Sequence, residues 1–307
     1  MTSIIRTENI SKSYKDILAV SDVSLNVDKG EIYGFLGLNG AGKTTTIRML
    51  LGMIKPTSGS AFIKEKKVSS DSKEIWKHIG ALVEIPYSYP ELTVRENLEI
   101  YRRFHFLTDP GSVDRIIDKL QLRPYADRKA KNLSLGNNQR LGLAKALIHD
   151  PEILILDEPT NGLDPAGIYE IRELLSDLAA NRGVTIFISS HILDEISRFA
   201  TRIGIIHQGK LIQEIDSSQL EVLSNKRLLI STKNNDEAKA ALEKKGFDIV
   251  TNEKNELETR NAEAIANPDT IATVLVNAGC PPTLLKVEEE DLEAFFLRTI
   301  GRKGGAP

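Results

Sequence analysis

A glycine-rich octapeptide carries the strongest chemical signal in this sequence. Residues 37–44 read GLNGAGKT, which matches the spacing G-x-x-x-x-G-K-[ST] of a phosphate-binding loop. Glycines let successive backbone N–H groups converge on phosphate oxygens at a helix N-terminus, while Lys43 supplies a charge and Thr44 a hydroxyl for Mg²⁺. The predicted nucleotide-binding residues here are Gly37, Leu38, Asn39, Gly40, Ala41, Gly42, Lys43, Thr44 and Thr45.

A second signal lies at the end of an apolar run. Residues 153–158 read ILILDE, so two carboxylates directly follow an aliphatic stretch. If that stretch is a buried strand, Asp157 at its tip can reach the Mg²⁺ shell, and Glu158 can orient or deprotonate an attacking water. We call Asp157 and Glu158 the acidic strand end. Together with the phosphate loop, they predict a P-loop NTPase.

The elements around these two motifs must bring them to one edge of a sheet. The run EIYGFLGL predicts a strand that leads into the phosphate loop, and TTTIRMLLGMI predicts a helix that ends before Pro56. The runs EILILDEP and VTIFISSH are separated by the helix-like GIYEIRELLSDLAAN. This alternation favours parallel strands that are covered on both faces by crossover helices. We therefore expect an α/β fold with a parallel-sheet core.

Two further regions accompany that core. Residues 3–27 alternate between apolar and polar types, which predicts an antiparallel β subdomain. Residues 87–144 carry mostly helical signals, including Thr93 and Glu96 at the spacing of a capping box, and predict a helical subdomain. The whole ATP-binding domain is expected to span residues 1–220.

The chain changes character after Gln213. Short strand and helix candidates follow in the order β-α-β-β-α-β, which is typical of a small α+β, ferredoxin-like unit. We place the boundary near residues 216–226, an accessory domain at 226–307, and its last helix at 291–300. The acids and lysines of this segment form no catalytic cluster in the sequence, so a role in regulation or dimer support is expected.

Composition excludes several classes of protein. The 307 residues carry a net charge of −3, which gives no basic excess for nucleic acid, so no nucleic-acid partner is expected. No segment approaches 18 uninterrupted apolar residues, so the chain is not expected to span a membrane. Its single cysteine, Cys280, fits a reducing cytosol. A role in transport would therefore require another polypeptide to form the path.

The residues between and after the two motifs resemble those of one family. The stretch LSLGNNQR at residues 133–140, which we call the signature segment, is similar to the signature sequence of ABC-type ATPases. Tyr14, Glu84, the NGLD run that ends at Asp164, and His191 follow the usual order of that family. The resemblance covers residues 3–215 and implies the ATP-hydrolysing subunit of an ABC transporter.

The resemblance also implies roles for these residues and a paired arrangement. Tyr14 would stack on adenine, the loop that ends in Asp164 would cross a dimer interface, and His191 would contact the γ-phosphate. ATP would lie between the phosphate loop of one subunit and Ser134 and Gly136 of its partner. The implied partners are a second copy of the subunit and integral-membrane permease subunits. The implied location is cytoplasmic, peripheral on the inner face of the cell membrane.

Some residues depart from the common family pattern. Glu84 stands where most members have glutamine, and Leu135 and Asn137 stand within a signature that commonly reads LSGGQ. In these features the chain resembles the ATPase subunits of bacitracin-resistance and lantibiotic-immunity exporters, which implies export of a peptide antibiotic. Glu84 could still bind Mg²⁺ or contact the permease. Open alternatives are another exported small molecule or lipid, a non-transport ABC ATPase of translation or repair, and a phosphotransferase.

Overall fold

The computed structural model divides the chain into two units, Met1–Ser218 and Gln219–Pro307. The residues that it describes are 3–69, 71–84, 86–219, 226–252, 254–289 and 292–301. Part of the predicted boundary, residues 220–225, therefore lies outside the described residues, as do Asp291 and residues 302–307. Among the helices within the described ranges, none combines the length and the hydropathy needed to cross a bilayer.

The N-terminal unit opens with an antiparallel sheet. Its strands are β1 (Ser3–Tyr14), β2 (Ile17–Val23), β3 (Asn26–Asp28), β5 (Ser58–Ile63) and β6 (Lys66–Lys67). They lie in the order β2-β1-β5-β6, with β3 paired to β1. The alternating pattern of residues 3–27 predicted β1, β2 and β3 of this sheet, because every second side chain of a half-buried strand faces the core. Strands β5 and β6 were not predicted.

A six-stranded sheet forms the centre of the same unit. Its strands are β4 (Ile32–Leu36), β7 (Ile79–Leu82), β8 (Ile153–Asp157), β9 (Thr185–Ser190), β10 (Arg202–His207) and β11 (Lys210–Asp216). They lie in the order β11-β10-β4-β9-β8-β7, and all neighbouring pairs are parallel except β10 with β11. Every residue of β4, β8 and β9 is buried. This confirms the prediction of parallel strands covered on both faces.

Helices cover the sheet and form the helical subdomain. They are α1 (Lys43–Leu50), α2 (Lys73–Trp76), α3 (Val94–Phe104), α4 (Gly111–Lys119), α5 (Leu135–Leu147), α6 (Pro165–Arg182) and α7 (Leu193–Ser197). The predicted capping box is present at the start of α3, where Thr93 accepts from the Glu96 N–H and Glu96 accepts from the Thr93 N–H. Helix α1 is shorter than predicted, because the chain turns at Gly52 with φ of 64°.

The C-terminal unit has its own sheet and core. Its elements are β12 (Lys226–Thr232), α8 (Asn235–Glu243), β13 (Val250–Thr251), β14 (Leu257–Thr259), α9 (Ala262–Ala266), α10 (Pro268–Asn277), β15 (Pro282–Glu289) and α11 (Leu292–Thr299). The strands are antiparallel in the order β13-β14-β12-β15. This is the ferredoxin-like arrangement that the sequence predicted. The short helix α9 was not predicted.

Candidate functional site

The phosphate loop joins the buried strand β4 to helix α1. Gly42 has φ of 110°, and a Cβ there would lie 2.7 Å from the carbonyl oxygen of Ala19, so only glycine fits. Lys43 begins α1 and is almost fully buried. Its Nζ donates to the carbonyl oxygens of Gly37 at 2.6 Å and Leu38 at 3.3 Å. The ammonium group of Lys43 is therefore bonded to carbonyl groups of its own loop.

Asp157 lies beside the first turn of α1. It ends β8 with only 3% of its surface exposed. The Thr44 hydroxyl donates to its Oδ2 at 2.7 Å, and the Ser189 hydroxyl donates to its Oδ1 at 2.5 Å. A hydroxyl and a carboxylate in contact are the hard oxygen donors that Mg²⁺ prefers. Thr44 and Asp157 therefore fit the predicted metal ion.

Glu158 is held by several polar groups at once. One carboxylate oxygen lies 3.1 Å from the Nζ of Lys43. The other lies 2.6 Å from Nδ1 of His191 and accepts from the Asn161 side-chain amide at 2.8 Å. Burial raises the pKa of this carboxyl, but Lys43 above all, with Asn161 and His191, outweighs that effect and leaves the pKa below its ordinary value. The carboxylate is therefore ionised at neutral pH.

The signature segment packs against the loop that follows the acidic strand end. Ser134 caps α5, and its hydroxyl accepts from the Asn137 N–H at 3.3 Å. Leu135 lies over Gly162, where an added Cβ would come within 2.4 Å of the leucine side chain. A Cβ on Gly136 would lie 3.1 Å from the Gly162 carbonyl oxygen. The leucine that departs from the common signature thus occupies the space above a glycine.

Three predicted residues lie apart from this cluster of contacts. Tyr14 ends β1 and is about half exposed, with the Lys12 ammonium 5.2 Å from its ring centroid. The carboxylate of Glu84 accepts from the Arg48 guanidinium at 2.7 Å at a largely exposed position. Asp164 caps α6 by accepting from the Gly167 N–H at 2.9 Å. In these described contacts Glu84 is bonded to Arg48 of α1 and not to Thr44 or Asp157.

Sequence reasoning missed two residues that hold the acidic strand end. Gln139 is buried in α5, and its side-chain amide donates to the backbone oxygen of Glu158 at 3.2 Å. Ser189 bonds both Asp157 and the N–H of Glu158. Neither residue lies near its partner in sequence. The available signals were the place of Gln139 within the signature segment and that of Ser189 near the end of an apolar strand.

Comparison with known proteins finds relatives that are transport ATP-binding proteins. The family described as ABC transporter matches residues 20–161. The bacitracin transport ATP-binding protein BcrA of Bacillus licheniformis is 42% identical over 302 residues, which covers 98% of each chain. The lantibiotic transport ATP-binding protein SrtF of Streptococcus pyogenes is 38% identical over 74% of this chain and 98% of its own.

The solved structures that this chain resembles are cassettes of the same kind. The dimeric, post-hydrolysis structure of the ATP-binding cassette MJ0796 bound to ADP and Pi has a TM-score of 0.65 and is 28% identical. It covers 69% of this chain and 98% of its own. The matched share is close to the length of the N-terminal unit, in which the phosphate loop and the acidic strand end lie.

The contact between Leu135 and Gly162 gives a testable prediction. Gly162→Ala should lower the free energy of unfolding by more than Gly183→Ala, because both glycines have positive φ but a Cβ at Gly183 meets nothing within 4 Å. The backbone strain common to both variants should cost about 1 kcal/mol. Denaturant unfolding of the two variants measures the difference.

A double variant separates the steric effect from backbone strain. Leu135→Ala combined with Gly162→Ala should remove the excess loss, because the clashing side chain is gone. Equal losses for Gly162→Ala and Gly183→Ala would contradict the packing argument.

Proposed function

This chain belongs to the ABC transporter family as an ATP-binding subunit, and from that premise we propose that it powers export of a peptide antibiotic through a separate permease. The observation that carries the substrate class is the 42% identity to a bacitracin transport ATP-binding protein over 98% of both chains. That likeness includes the C-terminal unit, whereas the lantibiotic transport relative matches 74% of this chain. Bacitracin-type compounds are therefore the first substrates to test.

The phosphate loop is the proposed site for the ATP phosphates. Its backbone N–H groups would bind the phosphate oxygens. The Nζ of Lys43 would leave the carbonyl oxygens of Gly37 and Leu38 and donate to phosphate oxygens instead. Thr44 and Asp157 would hold Mg²⁺. The ion, when bound, would offset the negative charge of the phosphates. Tyr14 supplies an exposed ring on which adenine would stack.

Glu158 is the proposed general base for the attacking water. Its pKa is held down mainly by the charge of Lys43, which opposes the effect of burial. Once Lys43 binds phosphate, part of that charge is neutralised, so the carboxylate becomes a stronger proton acceptor. His191 and Asn161 bond the same carboxylate oxygen and fix its direction. The proton of the water therefore passes to a carboxylate that is already oriented.

The active unit proposed here is a pair of identical subunits. One chain carries one phosphate loop and one signature segment. Within a subunit the signature segment packs against the loop that contains Gly162. Ser134 and Gly136 would contact the nucleotide held by the second copy, and the loop that ends at Asp164 would cross between them. A solved relative is itself a dimeric cassette bound to ADP and Pi. ATP would thus act as part of the subunit interface.

The segment from Tyr87 to Pro90 is the proposed docking surface for the permease. Tyr87 and Tyr89 are exposed and meet edge to face at 5.9 Å. Their backbone is nevertheless fixed: the Lys145 ammonium donates to the Tyr87 carbonyl at 2.8 Å, and buried Asn97 bonds both the N–H and the carbonyl of Tyr89. Exposed aromatic rings on a rigid backbone suit recognition of a partner protein.

Glu84 is the proposed link between this surface and the nucleotide site. It has φ of 56° and pairs with Arg48, which lies on α1 behind the phosphate loop. An exposed ion pair of this kind contributes up to about 1 kcal/mol, so Glu84 can leave Arg48 for a group of the permease when the permease binds.

The chain would act in the cytoplasm on the inner face of the membrane. In this proposal residues 1–220 form the ATP-binding domain, and residues 226–307 form an accessory domain.

Removal of the proposed base should separate binding from hydrolysis. Glu158→Gln should keep ATP affinity, slow turnover by about 10²- to 10⁴-fold and accumulate a nucleotide-bound dimer, because proton acceptance is lost while the phosphate loop stays intact. ATPase assays and size-exclusion chromatography with Mg-ATP measure both effects. Lys43→Ala serves as the contrast and should lose nucleotide binding itself. Normal hydrolysis by Glu158→Gln would contradict the assignment.

The link through Glu84 predicts a coupling defect. Glu84→Gln should leave the ATP affinity of the isolated subunit unchanged but reduce permease-dependent ATPase activity by about two- to fivefold, the scale of an exposed ion pair. Glu74→Gln is the matched control, because Glu74 is an exposed glutamate whose described ion pair is with Lys77. If Glu84→Gln leaves both hydrolysis and export untouched, the coupling role is wrong.

The substrate class can be tested in cells. Expression of this chain with the membrane protein encoded beside its gene should raise the bacitracin concentration that a sensitive bacterium survives, because export lowers the amount held at the membrane. The Glu158→Gln variant should abolish the gain. Protection against a lantibiotic alone would move the assignment to that class. No protection against either compound, with ATP hydrolysis intact, would contradict peptide-antibiotic export.

A further inference from the structure

We propose that Ser189 is a positioning residue for ATP hydrolysis. Its single hydroxyl orients the carboxylate of Asp157 and holds the backbone of Glu158. This inference rests on the proposed function, because it assigns Asp157 to the metal and Glu158 to the water. Ser189 lies in β9 directly beside Asp157 of the parallel strand β8. It is fully buried.

The first contact of Ser189 fixes the direction of the Asp157 carboxylate. The serine hydroxyl donates to Oδ1 at 2.5 Å, while Oδ2 accepts from Thr44 at 2.7 Å. A carboxylate with one oxygen bound on each side cannot rotate about its Cβ–Cγ bond without breaking a charge-assisted hydrogen bond. Ser189 therefore keeps Oδ2 facing the hydroxyl of Thr44, where the metal ligands would meet.

The second contact of Ser189 holds the backbone of Glu158. The N–H of Glu158 donates to the Ser189 hydroxyl oxygen at 3.1 Å and to the Ser189 carbonyl oxygen at 3.2 Å. Glu158 has φ of 47°, a left-handed conformation that is unfavourable for a residue with a Cβ and persists only when its surroundings fix it. The same hydroxyl thus stabilises the backbone turn that aims the Glu158 carboxylate at Lys43 and His191.

A hydroxyl group has one donor and two acceptor positions. In Ser189 the donor is used on Asp157, and one acceptor is used on Glu158, so both functions depend on the same oxygen. Alanine at this position would remove both bonds and leave the Asp157 Oδ1 without this donor. Groups of this kind, which orient a metal ligand without touching the metal, typically change metal affinity or activity by 10- to 100-fold when they are removed.

The neighbouring Ser190 provides a matched control. It is also buried, at 4% exposure. Its hydroxyl donates to the carbonyl of Ile192 at 3.4 Å and accepts from the Ile192 N–H at 3.0 Å. Those contacts do not include Asp157 or Glu158. Ser190→Ala therefore removes a buried hydroxyl from the same strand without removing a hydrogen bond to Asp157 or Glu158.

The test compares Ser189→Ala with Ser190→Ala in the full chain. The affinity for a fluorescent ATP analogue is measured in EDTA and during titration with Mg²⁺, and ATPase turnover is measured at saturating nucleotide. In Ser189→Ala the affinity in EDTA should equal that of the unmodified chain. The Mg²⁺ concentration for half-maximal binding should rise by about 10- to 100-fold, with a fall in turnover of similar size. Ser190→Ala should match the unmodified chain in its affinity in EDTA and in its Mg²⁺ dependence, because its hydroxyl bonds no ligand of the metal.

Three results would overturn this role for Ser189. Unchanged Mg²⁺ dependence and turnover in Ser189→Ala would show that its hydroxyl positions nothing. Loss of nucleotide binding in EDTA would show a general structural role. An equal Mg²⁺ shift in Ser190→Ala would show that any buried hydroxyl of β9 has this effect. A failure of the site assignment on which this role rests is distinguishable, because Glu158→Gln would then hydrolyse ATP normally, whatever the result for Ser189→Ala.

Discussion

Two neighbouring carboxylates at the end of a buried strand impose the main constraint on this structure. The aliphatic residues of β8 draw the strand into the core, since each buried leucine or isoleucine contributes about 1.5–3 kcal/mol. That burial takes Asp157 and Glu158 away from water, which is costly unless each oxygen finds a partner. The partners are supplied by neighbours on two sides, with Thr44 and Lys43 from α1 and Ser189 from β9. These side chains take the place of water around the two carboxylates.

Charge balance around Glu158 explains why the same residues can change partners. Lys43 is shared between the carbonyls of its own loop and the Glu158 carboxylate, so in this arrangement its charge is satisfied within the protein. Phosphate would compete for that charge with the carboxylate and the carbonyls. Binding of nucleotide and the basicity of Glu158 would therefore be coupled through one ammonium group. The left-handed backbone of Glu158 is tolerated because bonds on both sides of the residue hold it.

The regions outside the central contacts depend on the same cluster. Helix α5 begins at the signature segment and is bonded through Gln139 to the backbone of Glu158, so its N-terminus is positioned by the acidic strand end. On another side, α1 carries Arg48, which pairs with Glu84 ahead of the exposed tyrosines. Both surfaces that a partner would contact are thus connected to residues that surround the nucleotide site. Under the proposed function, these connections would pass a change at the nucleotide site to both surfaces.

The sequence by itself determined the fold class, the order of the main elements and the residues of the central motifs. These depend on local patterns: period-2 alternation for the N-terminal strands, apolar runs for β4, β8 and β9, the Thr93–Glu96 capping box for α3, and glycines where the phosphate loop needs them. Only the tertiary structure decided the partners of those residues. Ser189 meets Asp157 because β8 and β9 align in one register across 32 positions of sequence, and Gln139 and Arg48 find Glu158 and Glu84 only once helices pack. No local pattern encodes such contacts, because hydrogen bonds between distant segments depend on strand register and helix packing.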